Sequence, residues 1–248
     1  MIPKIIHYCW FGRKPLPPLA LHCIESWKKF FPDYEIKEWN ENNFDVNILP
    51  YTTEAYEAKK YAFVSDYARF WILYNYGGLY FDTDVEVIKS FEDIVSMGAF
   101  MGCETSVHSE TSSLAVAPGL GLGCESGLSF YKEMLDLYAS LNFIKEDQSL
   151  NLKTIVEYTT ELLIKFGLKH INEIQLVSDI YIYPKEYFCP IDYRTKKCNI
   201  THNTRTIHHY AESWHNKRQK LKGFIIRILG DKIVRHLVSI KNILKNYS

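Results

Sequence analysis

Apolar residues run without interruption through KIIHYCWF (4–11), the pattern of a strand buried on both faces, and the loop GRKPLPP ends the run. In LALHCIESWKKFF (19–31) the apolar positions recur at three- and four-residue spacing, which predicts a helix stopped by Pro32. DYEIKEWN (33–40) alternates and predicts a second strand. The chain therefore opens as a β-α-β unit, the mark of a parallel sheet covered by helices. Residues 54–75 read as one helix, with Phe63, Tyr67, Phe70 and Tyr74 on one face and Ser65, Asp66 and Arg69 on another. Gly77 and Gly78 stand where a C-terminal cap belongs. Further helices are predicted at 128–141 and 152–166, and strands at SSLAVAP (112–118), IQLVSDIYIYP (174–184) and TRTIHHYA (204–211). No internal repeat or low-complexity segment interrupts this order.

One stretch, GGLYFDTDVEV (77–87), departs from a simple apolar pattern. Read as a strand, it puts Leu79, Phe81, Thr83, Val85 and Val87 on one face and Tyr80, Asp82, Asp84 and Glu86 on the other. Adjacent carboxylates repel and are costly to desolvate, so such a row needs water, basic partners or a cation. Asp82 and Asp84, two apart after a glycine turn, form a short clamp of hard oxygens for a divalent ion. Far along the chain His208 and His209 lie on another predicted strand, and alternation allows one of the two to face the acid pair as a further ligand. A mixed oxygen and imidazole set suits Mn²⁺ somewhat better than Mg²⁺.

In a parallel sheet ligands bind beyond the carboxyl ends of the strands, where Trp10 follows the first strand and could stack a base. Asp66 and Arg69 can pair with each other or hold the hydroxyls of one ligand. Each feature also has an ordinary counterpart: a solvated edge strand for the acids, core packing for Trp10 and Trp214, a surface salt bridge for Asp66 and Arg69, a hydrogen-bonded histidine for His208 or His209.

Composition narrows the class. A chain of 248 residues that is 47% hydrophobic and 15% aromatic can bury a substantial core and is not disordered. Its eighteen Tyr and five Trp suit hydroxyl-rich, stacked ligands such as sugars and nucleosides; no nucleic-acid partner is expected. The formal net charge of zero hides an asymmetry, because residues 217–248 carry nine Lys and Arg against Asp231 alone. Ile226, Leu229, Ile233, Leu237, Ile240 and Leu244 recur there at helical spacing. This predicts a basic amphipathic helix, fit either to lie on an anionic membrane or to pack on the acidic body. Without a signal-peptide layout or a run of about 20 apolar residues, the expectation is a cytoplasmic protein, held at most peripherally on the inner face of the cell membrane. Cys9, Cys23, Cys103, Cys124, Cys189 and Cys198 lack paired spacing and read as reduced thiols. The set Cys189, Cys198, His202 and His208 fits no zinc-ligand pattern.

Four segments, IPKIIHYCWFG, SWKKFFPDYEIKEWNENNFD, AFVSDYARFWILYNYGGLYFDTDVEV and IHHYAESW, resemble the glycosyltransferases that share a DXD sugar-binding motif, grouped as family 32. That family includes bacterial capsule and lipopolysaccharide transferases, is similar to the fungal initiating mannosyltransferases and is related to the clostridial glucosylating toxins. The likeness is dense over the first hundred or so residues, looser in the middle, and returns near 208–214. It implies a GT-A fold, a nucleotide-sugar donor, Mn²⁺ or Mg²⁺, and retention of anomeric configuration. Carried over by position, it makes Trp10 the ring stacked on the donor base and Ser65, Asp66 and Arg69 contacts to ribose and transferred sugar. Asp82 touches sugar or ribose and metal, Asp84 is the direct metal ligand, and Tyr80 lines the same pocket. His208 takes the third ligand position, with Ser213 and Trp214 closing over the diphosphate. The family's Gly-Pro-containing acceptor segment is missing from the 140–165 region, where EDQSLNLKTIVEYTTELL stands.

The expected architecture is a single α/β GT-A-like domain over residues 1–216, Rossmann-like with a mixed central sheet, followed by a basic amphipathic helical tail over 217–248. The expected activity is metal-dependent, retaining transfer of a sugar, galactose or glucose first, from a UDP-sugar to a saccharide acceptor, lipid-linked or free, in cell-surface polysaccharide synthesis. Asp82, Asp84, Asp66 and Arg69 form the expected catalytic group. Two other classes compete: a metal-dependent phosphohydrolase of nucleotide sugars, which needs a base for water and finds none beyond Glu86, and a catalytically silent protein that binds a membrane surface.

Overall fold

A computed structural model describes residues 1–105, 114–192 and 197–211; the predicted tail, Ser213 and Trp214 lie outside them. The first half contains β1 (Ile5–Cys9), α1 (Pro18–Phe30), β2 (Glu35–Trp39), α2 (Pro50–Glu57), α3 (Tyr61–Tyr76), β3 (Gly78–Tyr80), β4 (Val85–Val87) and α4 (Glu92–Met97). The second contains β5 (Phe100–Thr105), β6 (Leu114–Val116), β7 (Leu122–Cys124), α5 (Ser129–Ala139), α6 (Ile155–Lys165), β8 (Gln175–Val177), β9 (Ile180–Tyr183), α7 (Lys185–Phe188) and β10 (Thr206–His208). Met1–Tyr210 forms one compact unit.

The main sheet has the order β2-β1-β3-β7-β5-β9-β8, with β6 paired to β5. Strands β1, β2, β3, β5 and β9 run one way and β6, β7 and β8 the other, so the sheet is mixed, as expected for a GT-A-like domain. β4 and β10 form a separate antiparallel pair. Side chains alternate through the main sheet into two cores. Ile6, Tyr8, Leu79 and Phe100 pack with Trp27 of α1, Ile94 of α4 and Phe188 of α7, while Cys9, Tyr80 and Met101 pack with Phe70 of α3, Met134 of α5 and Leu163 of α6. β1 has β2 on one side and β3 on the other. The connection after β1 crosses to β2, and the one after β2 returns past β1 to β3. The carboxyl ends of β1 and β3 are therefore where a sheet of this order is expected to place a ligand crevice.

The β-α-β opening, the helices near 128–141 and 152–166 and the glycine cap follow the sequence pattern. Gly77 takes φ +64 and its N–H donates to Leu73 O (2.9 Å), ending α3. Three expectations are corrected. The segment 54–75 is two helices, because Lys59 turns left-handed (φ 57) and the Lys60 N–H reaches back to Ala55 O. The region 98–127 contributes β5 and β7 as well as β6. The acidic strand is interrupted: β3 ends at Tyr80, and Asp82, Thr83 and Asp84 form a turn closed by the Val85 N–H on Asp82 O (3.0 Å). Repulsion between neighbouring carboxylates is eased by that break, since strict alternation no longer aligns them.

Under the crevice His7 is fully buried. Trp39 Nε1–H donates to His7 Nδ1 (3.0 Å), so Nδ1 must stay unprotonated and Nε2–H donates to Gly77 O (3.0 Å). Burial, with Lys37 nearby, lowers the His7 pKa to about 4 despite the Gly77 carbonyl. Between its unfolded pKa near 6.5 and about 4, the unfolded chain binds a proton at this residue that the folded chain refuses. The stabilisation is therefore complete above the unfolded value and is lost as pH falls through that window, amounting to about 3 kcal/mol at most. In a histidine-resolved NMR titration, the His7 ring should stay neutral down to a midpoint close to 4. A midpoint at the ordinary histidine value would refute the Trp39 lock.

Candidate functional site

The carboxyl ends of β1 and β3 supply the first half of the site. Trp10 follows β1 directly; its backbone N–H donates to Trp39 O (2.8 Å) and its indole N–H to Lys14 O (2.6 Å), leaving the ring half-buried at the crevice. From α3, Arg69 Nη2 meets Asp66 Oδ1 at 3.0 Å and Asp82 Oδ1 at 3.2 Å. The Arg69 side chain is 4% exposed and that of Asp66 11%, so the surface salt bridge that their spacing allowed is a buried one. Arg69 Nε also donates to Ser65 O (3.2 Å), and the Ser65 hydroxyl donates to Tyr61 O (3.2 Å). Tyr80 is buried beneath this group: its hydroxyl donates to Asp82 Oδ1 (3.2 Å), and the Arg69 guanidinium lies 5.1 Å from its ring centre.

One guanidinium thus serves two carboxylates. Burial opposes charge on all three groups, but Asp82, Tyr80 and Asp66 together hold Arg69 firmly cationic. Burial raises Asp66 to about 7, with the Arg69 charge opposing and the Asp82 charge adding. Asp82 is raised too, by burial and by Asp84, against the pull of Arg69 and His208.

The β4–β10 pair supplies the second half. Its register places His208 opposite Val85, just after the acidic turn, and His208 Nε2 stands 3.4 Å from Asp84 Oδ1. Burial disfavours the imidazolium, yet Asp84 holds His208 well above the usual histidine range. His209 faces away from this pair: its backbone N–H donates to Asp84 O (3.0 Å), while its ring bonds Glu86 Oε2 (2.8 Å). His22 of α1 contacts the other oxygen of Glu86 at 3.3 Å. Of the two candidate histidines, therefore, the fold brings His208 to the acids and gives His209 to Glu86.

A carboxylate and an imidazole converging from two strands fit a divalent ion by donor type, and the proton that His208 now shares with Asp84 is what such an ion would displace. Asp82 joins them electrostatically, although its Oδ1 is turned toward Arg69. Sequence reasoning missed Gly119. Asp82 N–H donates to Gly119 O (3.0 Å), and a Cβ at Gly119 would collide with Asp82 Oδ2 and crowd Arg69 Nη1. Its only sequence signal is a position in the glycine-rich run APGLGLG. Ser213 and Trp214 lie outside the described residues.

Residues 17–101, which span α1 to the start of β5, match the family model of the glycosyltransferase sugar-binding region containing the DXD motif. An uncharacterized glycosyltransferase of Acanthamoeba polyphaga mimivirus is 26% identical over 226 residues, covering 82% of each chain. Inositol phosphoceramide mannosyltransferase 3 of Schizosaccharomyces pombe is 30% identical over 104 residues, 40% of this chain and 29% of that relative. Among solved structures, a glycosyltransferase involved in the glycosylation of the major capsid of PBCV-1 superposes with a TM-score of 0.49 at 11% identity, covering 86% of this chain and 95% of that one. Asp82-Thr83-Asp84 lies inside the matched segment, so this part of the chain is similar to the sugar-binding region of the DXD-containing glycosyltransferases, and the match and the relatives' names support a transferase enzyme.

Two substitutions test the geometry. Arg69→Met leaves two carboxylates facing each other without their cation and should cost about 3–5 kcal/mol in denaturant unfolding. Part of that loss should return in the Asp66→Asn background, where one of the charges is gone. Gly119→Ala pushes a methyl group into Asp82 and should cost about 1–3 kcal/mol. An unchanged midpoint for either single variant would contradict the contacts described.

Proposed function

We propose that the protein transfers a hexose from a nucleotide-sugar donor to a saccharide acceptor with the help of a divalent ion and with retention of configuration. The observation that carries this reading is the approach of Asp84 to His208, 3.4 Å apart on neighbouring strands beside Asp82. Asp84 and His208 would hold the ion, and Asp82 would approach it from the same turn. Mn²⁺ is favoured over Mg²⁺ because one donor is an imidazole. An ion bound there supplies Lewis-acid neutralisation of a departing diphosphate.

The remaining roles fall to the chain itself. Trp10, half-buried where β1 ends, would stack the donor base. Arg69 fixes the direction of the Asp82 carboxylate and keeps it available to ribose or sugar hydroxyls. Asp66, with a pKa raised to about 7, can donate or accept a hydrogen bond to a hydroxyl near neutral pH. Ser65 would contact the ribose, while Ser213 and Trp214 would close over the diphosphate. Tyr80 supports Asp82 from below rather than meeting the ligand. A hydrolase would need a carboxylate poised to activate water, and Glu86 is instead engaged by His22 and His209.

The UDP link, retention and a first choice of galactose or glucose rest on the family resemblance. The names of the fission-yeast relatives add mannose as a contender and a lipid-linked acceptor as a precedent. Cell-surface polysaccharide assembly on the inner face of the membrane, with the basic tail on anionic lipid, fits such an acceptor. Among the described residues no helix is long and apolar enough to cross a membrane.

A panel of UDP-galactose, UDP-glucose and GDP-mannose, each with Mn²⁺ or EDTA, tests the reading by thermal shift and nucleotide release. At least one donor should stabilise the protein only with the ion, and release should rise when acceptor is added. Asp84→Asn should lower the rate on the order of a hundredfold or more. Full-rate release without acceptor would favour hydrolysis. Indifference to every donor, or full activity of Asp84→Asn, would remove the proposal.

A further inference from the structure

Beside His208 lies a second group of donors, two of which the proposed glycosyl transfer does not use. Donor atoms of Glu104, Cys189 and His208 lie within 4.8 Å of one another. They come from three separate parts of the chain: β5, the residue after α7, and β10. Cys189 is 2% and Glu104 9% exposed, so the group sits in a dry environment. His208 Nε2 faces Asp84, and the other ring nitrogen, Nδ1, is buried with no hydrogen bond of normal geometry, while the Cys189 side chain is near enough to favour the charged ring. An unpaired buried polar atom is costly, and it calls for an explanation in a ligand. The zinc pattern sought in the sequence with Cys198 and His202 is not built, since both are exposed. Cys189 and His208 are brought together all the same, with Glu104 in place of the other two.

We infer that Glu104, Cys189 and His208 form a second cation site, for a borderline-soft ion such as Zn²⁺, which competes with the proposed hard-ion site for a single imidazole. Thiolate, carboxylate and imidazole are the donors that Zn²⁺ takes, with water completing four positions. The soft sulfur sets this group apart from the oxygen donors of the acidic turn. Loading requires Cys189 to release its thiol proton and the His208 imidazolium its Nδ1 proton to solvent as the S–Zn and N–Zn bonds form, with no change of oxidation state. Tyr210 must also turn aside: its hydroxyl donates to Glu104 Oε2 (3.2 Å) and lies 3.0 Å from Cys189 Sγ. Its ring is 4.2 Å from that of His208.

The competition follows from imidazole chemistry. A neutral ring has one lone pair. With Zn²⁺ on Nδ1, Nε2 carries the proton and donates it toward Asp84, a carboxylate–histidine–zinc arrangement that leaves no nitrogen for a hard ion. That clause rests on the function proposed above; the soft site itself does not.

Co²⁺ in place of Zn²⁺ gives a direct optical readout on the full chain. Wild-type protein and Cys198→Ser should each develop a thiolate-to-cobalt charge-transfer band that saturates at one equivalent. Cys189→Ser should abolish it, and Glu104→Gln should weaken Co²⁺ and Zn²⁺ affinity tenfold or more. Zn²⁺ added over Mn²⁺ should suppress nucleotide release by wild type relative to its own Zn²⁺-free rate, and should leave Cys189→Ser at its own Zn²⁺-free rate. Absence of the band, its persistence in Cys189→Ser, or equal Zn²⁺ inhibition of both proteins would overturn the inference. The two readings fail separately. Full transfer by Asp84→Asn would defeat the proposed function and leave the cobalt result standing, whereas a missing band beside an inactive Asp84→Asn would defeat the soft site alone.

Discussion

The site depends first on one buried cation. Arg69 sits between Asp66, on its own helix, and Asp82, on the turn that leaves the sheet. A guanidinium taken out of water is expensive, and well-packed apolar groups in place of all three charged side chains together would serve stability equally well. What an apolar group would not do is fix the direction of a carboxylate. Arg69 meets both carboxylates through Nη2, and its Nε–H reaches Ser65 O, so the rotation of the planar guanidinium is set by the helix. The Asp82 carboxylate is tied in turn by Tyr80, while its backbone N–H is held by Gly119. Because one positive charge faces two negative ones, the balance at this point is incomplete. Burial raises the pKa of Asp66 against the pull of Arg69, the Asp82 charge adds to the rise, and a ligand hydroxyl or a nearby cation would favour its charged form.

A second constraint concerns the small β4–β10 sheet. Two strands alone are marginal in water, yet this pair carries Asp84 at one end and His208 opposite. Its stability is borrowed from α1. The Trp27 indole N–H donates to Val85 O (2.7 Å), and the Val87 N–H donates to Ser26 Oγ (2.9 Å). Val85 and Val87 are both buried in the same core as Trp27. Neighbouring residues of α1 thus anchor the strand on both sides of Glu86, and the separation between acid and imidazole is set by helix packing rather than by main-sheet pairing.

Local periodicity made much of this legible in the sequence, and its failures have local causes. β1, α1, β2, α5 and α6 show their apolar spacing openly, and the glycine pair marks the end of α3. β5 and β7 do not, because glycines occupy places where the sheet packs against bulky rings. A Cβ at Gly123 would collide with Leu79 and Phe100, and one at Gly102 with Phe188. From the sequence, 98–127 reads as a Gly- and Ser-rich region with a single strand at 112–118, although β5 and β7 lie at the centre of the sheet. The Asp66–Arg69 pair was visible as a spacing, but the same spacing occurs on any solvated helix. Its burial comes from α5 and the acidic turn, both distant in sequence. Alternation said that only one of two adjacent histidines could face the acids; the choice between them needed the pairing of His208 with Val85.

His208 sits where two kinds of coordination chemistry meet. On the Asp84 side the donors are hard, and on the Cys189 side they are soft and largely shielded from water. Intrinsic affinity does not favour the ion that the transferase would need, since Zn²⁺ outranks Mn²⁺ for mixed nitrogen, oxygen and sulfur donors. Selectivity at such a residue has to come from geometry and from what already occupies the soft side. Tyr210 is placed for that purpose: its hydroxyl lies within hydrogen-bond distance of both Glu104 and Cys189, and its ring lies against the imidazole. A soft ion must break these contacts and expel a thiol proton before it gains its bonds. A hard ion on the Asp84 side would displace the proton shared with His208. At the two proposed sites the phenol would therefore act against the stronger-binding metal and would leave the imidazole to the weaker one.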